Sequence, residues 1–256
     1  MAIDERLLGA LHVEELQAKE VHAGHDPHQI FQASTIATLL DGALEGDVSF
    51  AELSGHGDLG LGTFNAADGE LIIVDGHFLR ADIEGGINEV DPSEKTPFAV
   101  LTYFEPVHEF EVEDATYEQL KAEIDRRIGH PEVVHAVRVD GRFEHVHARS
   151  VPRQSKPYPP MVEVVASQRV FDFDDIEGTM IGFRFPDYAE GINVPGYHLH
   201  FADLVRTHGG HVLDARIALA TVSVDDSIDV HVEVPEGIEL SESTDEEALR
   251  KVEREG

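Results

Sequence analysis

The apolar and polar positions of this chain alternate over short stretches broken by glycine, a pattern that predicts many short strands and few helices. Residues 59–64, 70–74 and 76–82 read as strands, with Asp68-Gly69 and Asp75-Gly76 as hairpin turns between them. Residues 96–104 form a further strand candidate. Helical spacing marks residues 34–40, which end near Gly42, and a single turn at 50–53. It also marks 117–127, where Leu120, Ile124 and Ile128 share a face before Gly129. Residues 133–139 and 143–151 read as a hairpin turning at Asp140-Gly141. The stretch 152–160 holds Pro152, Pro157, Pro159 and Pro160, breaks regular structure, and is the best domain boundary. Strands are expected beyond it at 161–166, 178–185, 196–201, 211–222 and 227–234. A charged helix over 244–255, with Ser243 as N-cap and Glu246 three residues on, closes the chain. Residues 4–20 read as a short amphipathic helix or a tail. The expected fold class is α+β in two domains, 1–155 and 156–256, each a mixed or antiparallel sheet with flanking helices.

Composition narrows the chemistry. With no cysteine, disulfides, iron–sulfur clusters and thiolate zinc sites are excluded, so any metal must rest on His, Asp or Glu. Nineteen basic residues against 51 acidic ones give a net charge of −32, a poor surface for nucleic acid, whose phosphates are bound by Lys and Arg. The acids run along the whole chain, and self-repulsion on this scale calls for screening, which points to a halophilic cytoplasm. No run approaches the ~20 apolar residues of a membrane span. The N-terminus shows no basic region followed by an apolar stretch, so the expectation is a cytoplasmic protein without a membrane partner.

The candidate chemistry lies in the histidines. In Gly196-Tyr197-His198-Leu199-His200 two imidazoles alternate with Leu199, so on a strand both project from one face. The segment Arg206–Gly210 supplies a flexible turn, and His211 opens the returning strand where it faces the same pair. Three nitrogen ligands without a fourth protein ligand leave an open coordination position, as catalytic zinc sites do. An isolated His-x-His is more often two surface residues, and His145 and His147 repeat the spacing with no obvious third partner. Spacing alone therefore leaves a metal site and a bland surface reading about even.

Several blocks in one order add to this. Residues 191–214, GINVPGYHLHFADLVRTHGGHVLD, follow Gln32-Ala33-Ser34-Thr35 and Leu39-Leu40-Asp41-Gly42. Between them come 57–64, GDLGLGTF, then Asp68-Gly69-Glu70-Leu71, Ala148–Gln154 and Lys156-Pro157-Tyr158. In these blocks the chain resembles the acetolactate decarboxylases, from about residue 28 to the C-terminus. The resemblance implies a zinc enzyme, often a homodimer of two-domain chains, converting (S)-2-acetolactate to (R)-acetoin and carbon dioxide. It implies His198, His200 and His211 as metal ligands, with Glu70 and Arg149 facing the metal and Thr63 positioning the substrate or the carboxylates. A C-terminal glutamate is also implied, best matched by Glu253, with Glu255 as the alternative register. Where the family has three glycines before its third ligand, this chain has His208-Gly209-Gly210. His208 reads as a turn residue facing solvent, a rival or supporting ligand being the alternative.

These residue types suit the reaction. Loss of carbon dioxide from a β-keto acid sends an electron pair into the neighbouring ketone, and a zinc ion on three neutral imidazoles is a Lewis acid for that oxygen. Arg149 is a permanent cation for the substrate carboxylate and the developing charge. Glu70 and Glu253 are suited to delivering the proton that the net reaction consumes. Two other readings stay open: a cupin-like metal oxygenase or isomerase, which also sets His-x-His on a strand, and a non-catalytic metal-binding module.

Overall fold

The computed structural model describes residues 11–14, 28–227, 229–234 and 252. In chain order the strands begin with β1 (Leu11–Glu14), β2 (Gln29–Ala33), β3 (Val48–Ser49), β4 (Leu59–Thr63) and β5 (Glu70–Val74). They continue with β6 (His77–Ala81), β7 (Ile87–Glu89), β8 (Lys95–Thr96), β9 (Ala99–Thr102) and β10 (His108–Thr116). The longest follow: β11 (Val134–Ser150), β12 (Arg169–Phe185), β13 (Gly196–Asp203) and β14 (Gly209–Ser227), before β15 (Asp229–Glu233). The helices are α1 (Ile36–Leu40), α2 (Phe50–Leu53), α3 (Tyr117–Arg127) and α4 (Met161–Val165). This is a mostly β, α+β architecture.

Two sheets carry the fold. The larger has eight strands in the order β1-β15-β2-β9-β4-β5-β6-β7, parallel across β1, β15 and β2 and antiparallel elsewhere. The second has five antiparallel strands, β10-β14-β11-β12-β13, and β13 pairs again with β14. The ladder β14–β11–β12–β13 thus returns to its own first strand, which leaves β13 bonded on both sides.

Burial explains the sheet strands. Glu70–Val74 are buried throughout because both faces of β5 are covered. Ile72 and Val74 meet Ile181, Phe183 and Phe185 of the second sheet, joined by Leu39 of α1 and Val164 of α4. Leu71 and Ile73 turn the other way, toward Phe50 and Leu53 of α2 and Phe64. A separate core sets Val137, Val139, Phe143, Leu199 and Phe201 against Leu120 and Ile124 of α3. Helices α2 and α3 each begin in a capping box, Ser49 with Glu52 and Thr116 with Gln119, which satisfies amide donors orphaned at a helix start. The expected helices at 34–40, 50–53 and 117–127, and the strands at 59–64, 70–74 and 76–82, match the structure to within a residue or two at their ends.

Other expectations are corrected. No hairpin turns at Asp140-Gly141, because β11 runs unbroken through both residues. A Cβ on Gly141 would sit 2.3 Å from the Leu219 carbonyl oxygen, so the glycine permits close strand approach and makes no turn. Residues 161–166 are not a strand. Met161, Val164 and Val165 bury one face of the short helix α4 at i, i+3, i+4 spacing, which outweighs the β-branched composition. The reading of 4–20 as a helix or tail meets a strand at Leu11–Glu14. The proline run joins β11 and β12, which are neighbours in one sheet, whereas the chain passes between sheets from Thr102 to His108. The five-stranded sheet thus takes strands from both sides of residue 155, and β15 returns to the larger sheet. The closing helix expected over 244–255 lies outside the described residues except at Val252, which is helical and buried.

Candidate metal centre

Strand alternation sets the three histidines. Leu199 and Phe201 face the α3 core, so His198 and His200 project from the opposite face of β13. The chain reverses and His211 on β14 stands directly across from His200 in the ladder. The turn between them is tied: Asp203 Oδ1 accepts from the Thr207 and His208 amides at 2.6 and 3.1 Å, and Asp203 Oδ2 accepts from the Thr207 hydroxyl at 2.8 Å. The flexible turn expected here is in fact a carboxylate-pinned one.

All three imidazoles are buried, at 8%, 0% and 2% exposure for His198, His200 and His211. His198 Nε2 stands 3.2 Å from His200 Nε2 and 3.1 Å from His211 Nδ1. Two nitrogens bound to zinc at ~2.0–2.1 Å in tetrahedral geometry would be about 3.3 Å apart, so the trio fits a metal of this size. His200 Nδ1 donates to the Leu71 carbonyl at 2.7 Å, which leaves the lone pair on Nε2 aimed at the other rings. Burial, and then the nearby charge of Arg149, pulls His198 down to about 3. Burial also holds His200 well below its ordinary value, helped by His198 and Arg149 and opposed by the Leu71 bond. Buried, uncharged imidazoles with convergent lone pairs are the donor set that a divalent metal requires.

The carboxylate and guanidinium candidates converge on the same place. Glu70 opens β5, is buried, and brings Oε2 to 3.7 Å from His200 Nε2. It is no exposed hairpin residue. Thr63 pairs with Glu70 across the β4–β5 ladder, and its hydroxyl donates to the Gly69 carbonyl at 2.8 Å. It therefore fixes the turn that delivers Glu70. Arg149 is only 2% exposed and pairs with His211 across the β11–β14 ladder. Its Nη2 donates to the Val252 carbonyl at 2.6 Å, while Nε and Nη1, both buried, have no hydrogen-bond partner among the described residues. Glu253 lies outside the described residues, although Val252 before it packs into the core beside this arginine.

The remaining histidines separate from the trio. The side chain of His208 is 55% exposed and its Nδ1 lies 3.3 Å from Asp203 Oδ2. His145 and His147 form a group of their own with Asp172. Sequence reasoning missed the Leu71 and Val252 carbonyls, which hold His200 and Arg149. Both are backbone atoms, so no residue type could have announced them. A cavity of about 580 Å³ opens beside His211, lined by Lys121, Arg184, Asp125 and Tyr197 among others.

The family model described as alpha-acetolactate decarboxylase matches residues 30–244. The alpha-acetolactate decarboxylase of Methylococcus capsulatus is 44% identical over 238 residues, covering 92% of each chain. That of Bacillus subtilis is 42% identical over 209 residues, covering 81% of this chain and 82% of its own. The crystal structure of alpha-acetolactate decarboxylase from Bacillus subtilis strain 168 superposes with a TM-score of 0.85 at 38% identity, covering 88% of this chain and 99% of that one.

Proposed function

This chain belongs to the alpha-acetolactate decarboxylase family, and we propose that it decarboxylates (S)-2-acetolactate to (R)-acetoin at a zinc ion held by His198, His200 and His211. One observation carries the reading: three buried imidazoles lie together beside a buried guanidinium whose Nε and Nη1 have no hydrogen-bond partner among the described residues. When bound, the metal supplies a Lewis acid for the charge that develops on the ketone oxygen.

The chain's own groups do the rest. Arg149, oriented by Val252, receives the substrate carboxylate on Nε and Nη1, a charge-assisted pairing in a site shielded from water. As the carbon–carbon bond breaks, carbon dioxide leaves and its bonding pair moves into the adjacent ketone, giving an enediolate. Arg149 then faces that negative charge. Glu70, and Glu253 with it, returns one proton to the carbon that lost the carboxylate, which balances the reaction. Thr63 acts at one remove by holding the turn before Glu70. His200 is kept in a single orientation by Leu71, so the donor set is preformed.

The wider reading is a cytoplasmic homodimer of two-domain chains working in molar salt. It rests on the charge of −32 and on the resemblance. The direct test is to mix the protein with racemic acetolactate and measure acetoin and carbon dioxide, before and after metal removal and after zinc is restored. Acetoin formation that is lost to a chelator and regained with zinc is expected. Unchanged turnover without metal, or no acetoin at any salt concentration, would overturn the proposal.

A further inference from the structure

A second histidine group lies outside the centre described above. His145 and His147 alternate with Val146 on β11, and Asp172 and Asp174 alternate with Phe173 on β12. Register places His147 opposite Asp172 and His145 opposite Asp174. Asp214 on β14 faces His147 from the other side.

The atoms converge on one carboxylate oxygen. His147 Nδ1 lies 2.7 Å and His145 Nε2 3.3 Å from Asp172 Oδ1. The other ring nitrogen of His145, Nδ1, is 2.8 Å from Asp174 Oδ1. With Nδ1 turned to Asp174, His145 presents Nε2 to the Asp172 oxygen, the orientation of a ring that would ligate a metal through Nε2. Among the described residues no Arg or Lys pairs with Asp172 or Asp174. A carboxylate on the far nitrogen of a histidine is also the arrangement that orients histidine ligands in metal sites.

We propose that His145, His147 and Asp172 form a second metal site, on the surface of the five-stranded sheet, for a divalent transition-metal ion, with Asp174 orienting His145. Two imidazoles and one carboxylate select zinc, nickel or copper over magnesium or calcium, which prefer all-oxygen sites. His145 and His147 are partly exposed and Asp172 is exposed, so the metal is exchangeable and water completes its coordination. It ties β11 to β12 two residues before Arg149, the arginine of the buried centre.

Equilibrium dialysis of the metal-stripped full chain against Co2+, with cobalt counted per chain, tests the site. The His145→Gln/His147→Gln variant is expected to bind one equivalent fewer than the parent. It should keep the parent's acetolactate turnover, since neither residue belongs to the buried centre. Asp172→Asn, a replacement of equal shape at an exposed position, should weaken that same equivalent, and Asp174→Asn should weaken it about tenfold or more. His198→Gln/His211→Gln should lose a different equivalent and leave this one in place, which separates the two sites. Equal cobalt binding by the parent and the His145→Gln/His147→Gln variant would overturn the proposal, whatever the buried trio does.

Discussion

Arg149 and His211 face each other directly across the β11–β14 ladder, so a buried cation and a buried imidazole share one rung. Among the described residues no carboxylate forms an ion pair with Arg149, and a buried charge without a partner is costly unless an anion is bound there. The guanidinium spends Nη2 on Val252, which fixes its plane and directs its other N–H groups. Arg149→Lys keeps the charge but loses the planar fork. Its kcat/KM for acetolactate should fall about 100-fold or more, the scale of losing one preorganised donor to developing charge, with metal content unchanged. Acetoin assays alongside metal analysis check this, and near-parental activity would reduce Arg149 to a structural role.

Glu70 is buried 3.7 Å from His200, too well shielded for a surface carboxylate. Glu70→Gln preserves shape and removes the acidic carboxyl proton. The expected loss in kcat is about 10²- to 10⁴-fold, with the metal retained. Thr63→Val should act differently, since the hydroxyl bonds to Gly69. It should cost about 1 kcal/mol of stability and only a few-fold in rate. A Thr63→Val loss as large as that of Glu70→Gln would place the hydroxyl on the substrate instead.

The site was more legible in the sequence than the sheets around it. His198, Leu199 and His200 declare their geometry through period two alone, since any strand sends the two rings to one side. The flanking blocks carried the rest of the trio's assignment. The strands failed where local signals were weaker than partners far along the chain. Asp140-Gly141 has turn chemistry, yet Leu219 and Ala220 lie against it and demand a strand without a side chain there. Residues 169–177 carry Asp172, Asp174 and Asp175 in place of an apolar run, and they extend β12 only because β11 lies beside them. Met161–Val165 look like a strand by composition, and their helical burial appears only when α1 and the core are in place. Long-range pairing is what a local pattern does not encode.

Acid should destabilise the metal-free protein. His198 and His200 are buried and neutral, with folded values pulled far below the ordinary imidazole range, His198 to about 3. In the unfolded chain they protonate near pH ~6.5. Below that pH the unfolded state binds more protons, so stability is present above it and is lost as pH falls toward the folded values. At pH 5 each histidine held fully neutral accounts for about 2 kcal/mol. His135 and His56 are also lowered by burial and act with the same sign. Asp225 and Glu233, raised by burial, act in the opposite sense, but carboxyls titrate mainly below this window. Urea unfolding in chelator and molar KCl at pH 7.5 and 5.0 should show the loss, and His198→Gln should shrink it. Coincident midpoints at the two pH values would contradict the argument.

Salt should stabilise the folded chain. On β10, Glu109, Glu111 and Glu113 form an exposed row of like charges at about 7 Å intervals. Ions screen over about 10 Å at 0.1 M and about 3 Å at 1 M, so only molar salt isolates such neighbours. The melting temperature should rise from dilute buffer to molar KCl. Glu111→Lys should stabilise by about 0.5 kcal/mol at low salt and lose that advantage at high salt. Equal or greater stability of the parent in dilute buffer would refute the halophilic reading.

Gly210 offers a test of the ladder that binds the two halves of the site together. A Cβ at this position would lie 2.6 Å from the Arg149 carbonyl oxygen, a backbone atom that cannot swing aside. Gly210→Ala must therefore push β14 away from β11 next to the rung that pairs Arg149 with His211. Overpacking of this kind costs about 1–3 kcal/mol, which lowers the melting temperature without preventing folding. The activity effect should be larger than the stability effect suggests, because neither side chain is altered yet their spacing is. A misplacement of ~1 Å in an oriented site costs about 100-fold in rate, so a shift of a few tenths should lower kcat/KM about tenfold. The alanine variant should stay folded by circular dichroism and still bind metal. If its kcat/KM equals the parent's while its melting temperature falls, the spacing of Arg149 and His211 does not govern the reaction.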